Sequence, residues 1–145
     1  MKQSTIEQYI RKIFHYLRFG AEKYTASYNI TSSQGRLLEI IVNDLSQGID
    51  VNRKHLEKVA NLKGSSITSL LDGLENKGFI CRKSSSIDGR ALSITVTERG
   101  YAAIDCVKEL FAQQEKQLLI GMTEEERKLF FNLLDRACKN IQNIN

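Results

Sequence analysis

Residues 51–96 read VNRKHLEKVANLKGSSITSLLDGLENKGFICRKSSSIDGRALSITV, and the hydrophobic period changes within them. Asn52 is a suitable N-cap for a short helix through Ala60, with Leu56, Val59 and Ala60 facing inward. Arg53 and Lys54 fall in its first turn, where positive charge opposes the helix dipole, so a role outside the fold is worth seeking for them. Asn61-Leu62-Lys63-Gly64 makes a tight turn. The spacing of Ile67, Leu70, Leu71 and Leu74 then predicts a second helix from Ser65 to about Lys77, closed by Gly78. At about 100° per residue, its opposite face presents Ser65, Ser69, Asp72 and Asn76, flanked by Ser66 and Thr68. Beyond Gly78 the pattern alternates. Phe79 to Ser84 and Ala91 to Val96 read as two strands, the second with Leu92, Ile94 and Val96 on one face, and Asp88-Gly89 supplies the turn between them. Helix, turn, helix and hairpin in this order describe a winged helix-turn-helix.

Outward from this stretch the chain is helical. Upstream, Ile6, Tyr9, Ile10, Ile13, Phe14 and Leu17 recur at three- and four-residue steps, predicting a helix over roughly Ser4 to Ser27 with one buried stripe. Thr31-Ser32-Ser33-Gln34 fits a capping box that opens a helix carrying Leu37, Leu38, Ile41 and Val42 and ending near Asn43 or Asp44. Downstream, Thr97-Glu98-Arg99-Gly100 starts a long helix to about Ile120, with Tyr101, Ile104, Val107, Leu110 and Phe111 on its inner side. Thr123 to Glu126 is a second capping box, and it launches a last helix bearing Leu129, Phe130, Leu133, Leu134, Ala137, Cys138 and Ile141. The expected class is mainly α with a small β-hairpin: a winged helix-turn-helix lobe over 31–96, with dimerisation helices over 4–27 and 97–145. The first and terminal helices, with Phe14, Phe130, Phe131 and Ile144, offer more apolar surface than a small winged core needs. Pairing of two copies would cover it, and packing within one six-helix chain is the alternative.

Composition sets the outer bounds. With 145 residues, 41% of them hydrophobic and none of them proline, the chain is the size of one globular domain with a real core. No apolar run approaches the roughly 20 residues of a membrane helix, and no signal segment follows Met1, so a cytoplasmic address is expected. Cys81, Cys106 and Cys138 are odd in number and lack CxxC spacing, which argues against a disulfide framework or zinc site and for reduced, mostly buried thiols. On its apolar strand, Cys81 is expected to be a small core residue. His15 and His55 lie far apart with no carboxylate cluster beside either. No catalytic constellation, phosphate-cradling glycine loop or metal-ligand spacing is present, so neither an enzyme nor a cofactor is expected.

Charge placement points to a partner. The net charge is only +4, but Val51 to Arg90 hold eight basic and four acidic residues, so the whole excess falls there. A local basic footprint is what phosphate contacts require, and the expected partner is double-stranded DNA. Ser65, Ser66, Thr68 and Ser69 can hydrogen-bond to phosphates or base edges, and the Thr68 methyl can meet thymine. Arg53, Lys54 and Lys63 precede that face, Arg82 and Lys83 lie on the first strand, and Arg90 at the hairpin tip can enter a minor groove with Asp88 orienting it. Asp72 would be repelled by phosphate, so base contact should stop near Ser69. The front half of the helix holds no Arg, Asn or Gln, so the commonest bidentate base contacts are absent. A winged-helix module for protein assembly, without DNA, is the rival, because Asp72 and Glu75 temper the positive face.

Leu56-Glu57-Lys58-Val59-Ala60, the stretch Ile67 to Ile80 with its Leu74-Glu75-Asn76-Lys77-Gly78 ending, Asp88-Gly89-Arg90-Ala91 and Thr97-Glu98-Arg99-Gly100, in this order, resemble the MarR (multiple antibiotic resistance regulator) family of transcription factors. The resemblance implies a homodimer that sets two winged modules on a palindromic operator, usually represses, and is often released by a small phenolic or other aromatic ligand or by oxidation. It also implies an effector pocket that His15, Tyr16, Tyr28 and Arg36 could line, with core packing the alternative role for each aromatic. Many members carry an Arg in the middle of the recognition helix, where this chain has Ser69 or Gly73, so operator preference does not transfer.

Overall fold

A computed structural model of the chain describes residues 4–20, 22, 28–84 and 92–144, with backbone alone at 84 and 92. Among them are six helices and one hairpin: α1 (Ile6–Phe19), α2 (Ser32–Ser46), α3 (Arg53–Ala60), α4 (Gly64–Asn76), β1 (Ile80–Ser84), β2 (Leu92–Val96), α5 (Glu98–Leu118) and α6 (Glu124–Gln142). Two compact units result, Met1–Ala112 and Gln113–Asn145.

In the first unit, the capping boxes define where helices begin. The Thr31 hydroxyl accepts from the Gln34 N–H at 3.1 Å, and the Gln34 side chain returns the bond to the Thr31 N–H at 3.1 Å. Thr5 and Gln8 repeat the device at the start of α1. Asn52 caps α3 through the His55 N–H at 2.9 Å. Leu37, Leu38 and Ile41 of α2, Leu56 of α3, Ile67, Leu71 and Leu74 of α4, Phe79, Ile80, Ile94, Ile104 and Val107 form one buried cluster. Each large side chain in it contributes about 1.5–3 kcal/mol by leaving water. His55 has a carboxylate neighbour that local sequence does not reveal: its Nε2 lies 2.6 Å from Asp44 Oδ2, joining α3 to α2.

The exit of α4 locks onto the entry of α5. Gly78 takes φ +81°, and the Gly78 and Phe79 N–H groups donate back to Glu75 and Leu74 at 3.0 and 2.9 Å, a Schellman ending. The Thr97 N–H donates to the Phe79 carbonyl at 3.1 Å, and its hydroxyl lies 2.6 Å from the Gly78 carbonyl while accepting from the Gly100 N–H at 3.0 Å. A Cβ at position 100 would sit 2.2 Å from the Phe79 oxygen. The Thr-Glu-x-Gly pattern is therefore a joint between two elements as well as a helix start.

Several side chains depart from the sequence expectation. Leu70 and Val42 are half-buried, Val59 and Tyr101 are exposed, and Ala103 takes the buried position on α5. Cys81 is exposed, as is Cys138, and Cys106 is half-buried. The cause for Cys81 is strand alternation: Ile80 is buried, so its neighbour faces out. Helix α1 ends at Phe19 and buries no residue, leaving Ile6 82% exposed. The remainder of the helix expected to reach Ser27 falls largely outside the described residues.

In the second unit, Thr123 and Glu126 form the expected capping box, with bonds of 3.2 and 2.8 Å. Arg127 donates to the carbonyls of Met122 and Leu119 at the preceding turn. Helix α6 buries none of its apolar residues, with Leu129 58% and Ile141 64% exposed. No helix among the described residues is long and apolar enough to cross a membrane.

Candidate nucleic-acid interface

The turn between α3 and α4 is built by Asn61 in the left-handed region, φ 53° and ψ 46°, with the Leu62 N–H donating to Glu57 at 3.1 Å. Asn tolerates this conformation better than most residues. Helix α4 then begins one residue earlier than expected, at Gly64, with Lys63 as N-cap and no side-chain cap bond. Ser65 and Ser66 therefore do not owe their place to capping. Both are exposed, as are Ser69, Asp72 and Asn76, whereas Thr68 is half-buried and donates its hydroxyl to the Gly64 carbonyl at 3.0 Å. One face thus presents three serine hydroxyls beside a helix start with no side-chain cap bond among the described residues.

Exposed cations stand on α3 and β1, which pack against α4, and at its N-cap. Arg53, Lys54, Lys58, Lys63 and Lys83 are all exposed and form no ion pair among the described residues. Lys77 differs, donating to the Gln34 side chain at 2.9 Å and joining α4 to α2. Asp88 and Arg90, expected at the hairpin tip, lie outside the described residues, as does the turn itself.

Arg82 is not placed as a free cation beside Lys83. Register pairs it with Ile94 across the hairpin, on the strand face shared with Ile80, so it turns inward while Cys81 and Lys83 turn out. Its Nη2 donates to Asp72 Oδ1 at 2.6 Å and to Glu75 Oε1 at 3.2 Å, and its side chain is only 16% exposed. The hydrogen bonds it donates to Asp72 and then Glu75 raise the guanidinium's hold on its proton, and the bonds Glu75 accepts from Arg82 hold the Glu75 carboxyl below the ordinary glutamate range. Counting charge without strand period hid this pair: an alternating reading from Ile80 already puts Arg82 on the inner face.

A cavity of about 360 Å³ opens in the first unit among α1, α2 and α3. Its lining includes Phe14, Leu17 and Arg18 of α1, Ser33, Arg36 and Ile40 of α2, Val59 of α3, and Leu62. Of the residues suggested for an effector pocket, only Arg36 is there; its guanidinium sits 3.9 Å from the Phe111 ring centre. Desolvation lowers the Arg36 pKa, and nearby Glu39 partly offsets this. His15 instead packs on Phe19 at 4.9 Å, and Tyr16 and Tyr28 do not line the cavity. The missed residues Phe14, Leu17 and Arg18 follow helical spacing along α1, which was readable as a face but not as a cavity wall. No group of three or more His, Cys, Asp or Glu among the described residues is placed to hold a metal ion.

A winged helix-turn-helix preceded and followed by further helices is the class these elements define. No family model matches the chain. It is similar to solved structures of MarR-type regulators: the S. aureus MepR–DNA complex (TM-score 0.82, 23% identity, 94% of this chain and 96% of that one) and a regulator from Methanosarcina mazei Go1 (TM-score 0.84, 18% identity, 97% and 98%). By sequence it is similar to the uncharacterized HTH-type transcriptional regulator YdgJ of Bacillus subtilis (strain 168), 28% identical over 122 residues, 84% of this chain and 72% of that protein. The HTH-type transcriptional regulator PecS of Dickeya dadantii (strain 3937) is 34% identical over 82 residues, 57% of this chain and 49% of PecS. The fold is that of the MarR regulators, as the motif order in the sequence implies, and the relatives are transcriptional regulators, not enzymes.

Proposed function

We propose that this chain is a sequence-specific, DNA-binding transcriptional regulator that acts as a homodimer on a palindromic operator. The observation that carries this is the exposed hydroxyl face of α4, with the exposed cations Arg53 and Lys54 on the adjacent α3 and Lys63 at the α4 N-cap forming no ion pair among the described residues. Ser65, Ser66, Thr68 and Ser69 supply contacts in the major groove, the flanking cations and Lys83 supply phosphate contacts, and Arg90, oriented by Asp88, reaches the minor groove. S. aureus MepR, which shares the fold, is a DNA complex in its crystal structure. The negative charge of Asp72 and Glu75, which would favour a protein partner on this face, is offset by half through Arg82. The finer reading is a repressor released by a small aromatic effector in the α1–α2–α3 cavity, where Arg18 and Arg36 offer positive charge beside apolar walls.

Fluorescence anisotropy with duplexes selected from a random-sequence pool tests the proposal. Affinity should fall steeply as salt rises, with a clear preference over scrambled duplex. Arg90→Ala should weaken binding about tenfold or more while leaving the thermal midpoint unchanged. Binding that is indifferent to sequence and salt would exclude the regulator; wild-type affinity in Arg90→Ala would exclude the wing contact alone.

A further inference from the structure

Arg82 donates three hydrogen bonds to two carboxylates of α4. Asp72 and Glu75 stand one turn apart on that helix. Glu75 Oε2 accepts the Arg82 backbone N–H at 2.8 Å, off the open edge of the two-stranded sheet, while Glu75 Oε1 and Asp72 Oδ1 take the guanidinium at 3.2 and 2.6 Å. One carboxylate thus holds backbone and side chain of the same residue, fixing the strand as well as the charge. The planar guanidinium donates in a fixed fork, so the arrangement restricts angle as well as distance. It joins the two parts that must meet DNA together: the hydroxyl-faced helix and the strand leading to the hairpin tip.

We infer that Asp72, Glu75 and Arg82 form a bracket setting the hairpin against α4, so that Arg82 is a positioning residue for operator recognition and not a phosphate contact. This rests on the DNA-binding function proposed above. The same bracket explains how two acids are tolerated on a face that approaches phosphate: Arg82 offsets one of their two charges and holds both carboxylates towards the strand. Removing them therefore separates two physical effects of opposite sign. Simple electrostatics predicts tighter binding to any DNA, because two negative charges are lost. Loss of the bracket predicts poorer discrimination between sequences.

The test compares wild type, Asp72→Asn/Glu75→Gln, Arg82→Gln and the triple variant. Each is titrated against the duplex that wild type selects from a random pool and against a scrambled duplex, at several salt concentrations, with active fraction measured by stoichiometric titration. The expected result is that the carboxylate double variant and Arg82→Gln each lose about tenfold in the ratio of the two affinities. The triple variant should lose no more, as residues of one unit do. For Arg82→Gln the salt slope on scrambled duplex should stay that of wild type. The inference is overturned if the double variant tightens on both duplexes at an unchanged ratio while Arg82→Gln flattens the slope by about one, the signature of a lost phosphate contact. It is equally overturned if only the active fraction falls, since that marks a general contribution to folding. Should wild type itself bind neither duplex in a salt-dependent way, the DNA-binding function fails first and the positioning role with it.

Discussion

At Gly100 one hydrogen atom decides whether two elements meet. A glycine inside a helix ordinarily costs about 1 kcal/mol relative to alanine, so Gly100→Ala would be stabilising on helix propensity alone. Here the added Cβ would stand 2.2 Å from the Phe79 carbonyl oxygen and 2.7 Å from a Val96 methyl. Neither the strand nor the α4 exit can yield without breaking the Thr97 bonds to the Gly78 and Phe79 carbonyls. Gly100→Ala should therefore destabilise, by about 1–3 kcal/mol, measured as a lower urea midpoint at an unchanged slope. An unchanged or raised midpoint would mean that the joint between α4 and α5 is looser than its distances indicate.

At the scale of elements, the α4–β1 bracket makes a pH prediction whose sign follows from Glu75. Its carboxyl is held below the ordinary range chiefly by the Arg82 side-chain bond, then by the Arg82 backbone bond. A depressed carboxylate contributes stability that is complete above its unfolded value, about pH 4.3, and is lost as pH falls through the folded one. Unfolding of wild type should thus lose stability more steeply below about pH 4 than Glu75→Gln does, in parallel chemical denaturation series. Parallel curves for the two proteins would show that the carboxylate gains nothing from Arg82.

Much of the element order was readable because it depends on local chemistry. Thr31, Asn52 and Thr123 mark helix starts through bonds reaching only three residues along the chain. Gly78 ends α4 for reasons equally local. What was hidden depends on partners far along the chain. Arg82 looks like wing charge until strand alternation and its two carboxylates are considered together. His55 finds Asp44 only because α2 packs beside α3. The cavity wall at Phe14, Leu17 and Arg18 exists only once α1 lies near α2, so the aromatic and basic residues suggested by the family resemblance mostly miss it.

For the whole molecule, the telling quantity is apolar surface that the chain itself leaves uncovered. Ile6, Tyr9, Ile10 and Phe14 on α1, and Leu129, Phe131, Leu133 and Ile141 on α6, are each exposed, and neither helix buries a residue. Such faces are costly in water, which supports the proposed pairing of two copies. Light scattering should give about twice the 16.5 kDa chain mass at micromolar concentration, and Ile10→Glu with Phe131→Glu should shift it toward the single-chain value. A wild-type mass of one chain across that range would leave these faces without the proposed role.

Helix α4 is also anchored unevenly. Its last turn is held by the Schellman bonds, Lys77 to Gln34 and Arg82 to Asp72 and Glu75, whereas its first turn has no side-chain cap at all. The serine-bearing end is therefore the softer end of a rod clamped at its base. Under the proposed function, a phosphate arriving at that end would do for the helix what an N-cap does elsewhere, so the contact would itself complete the helix.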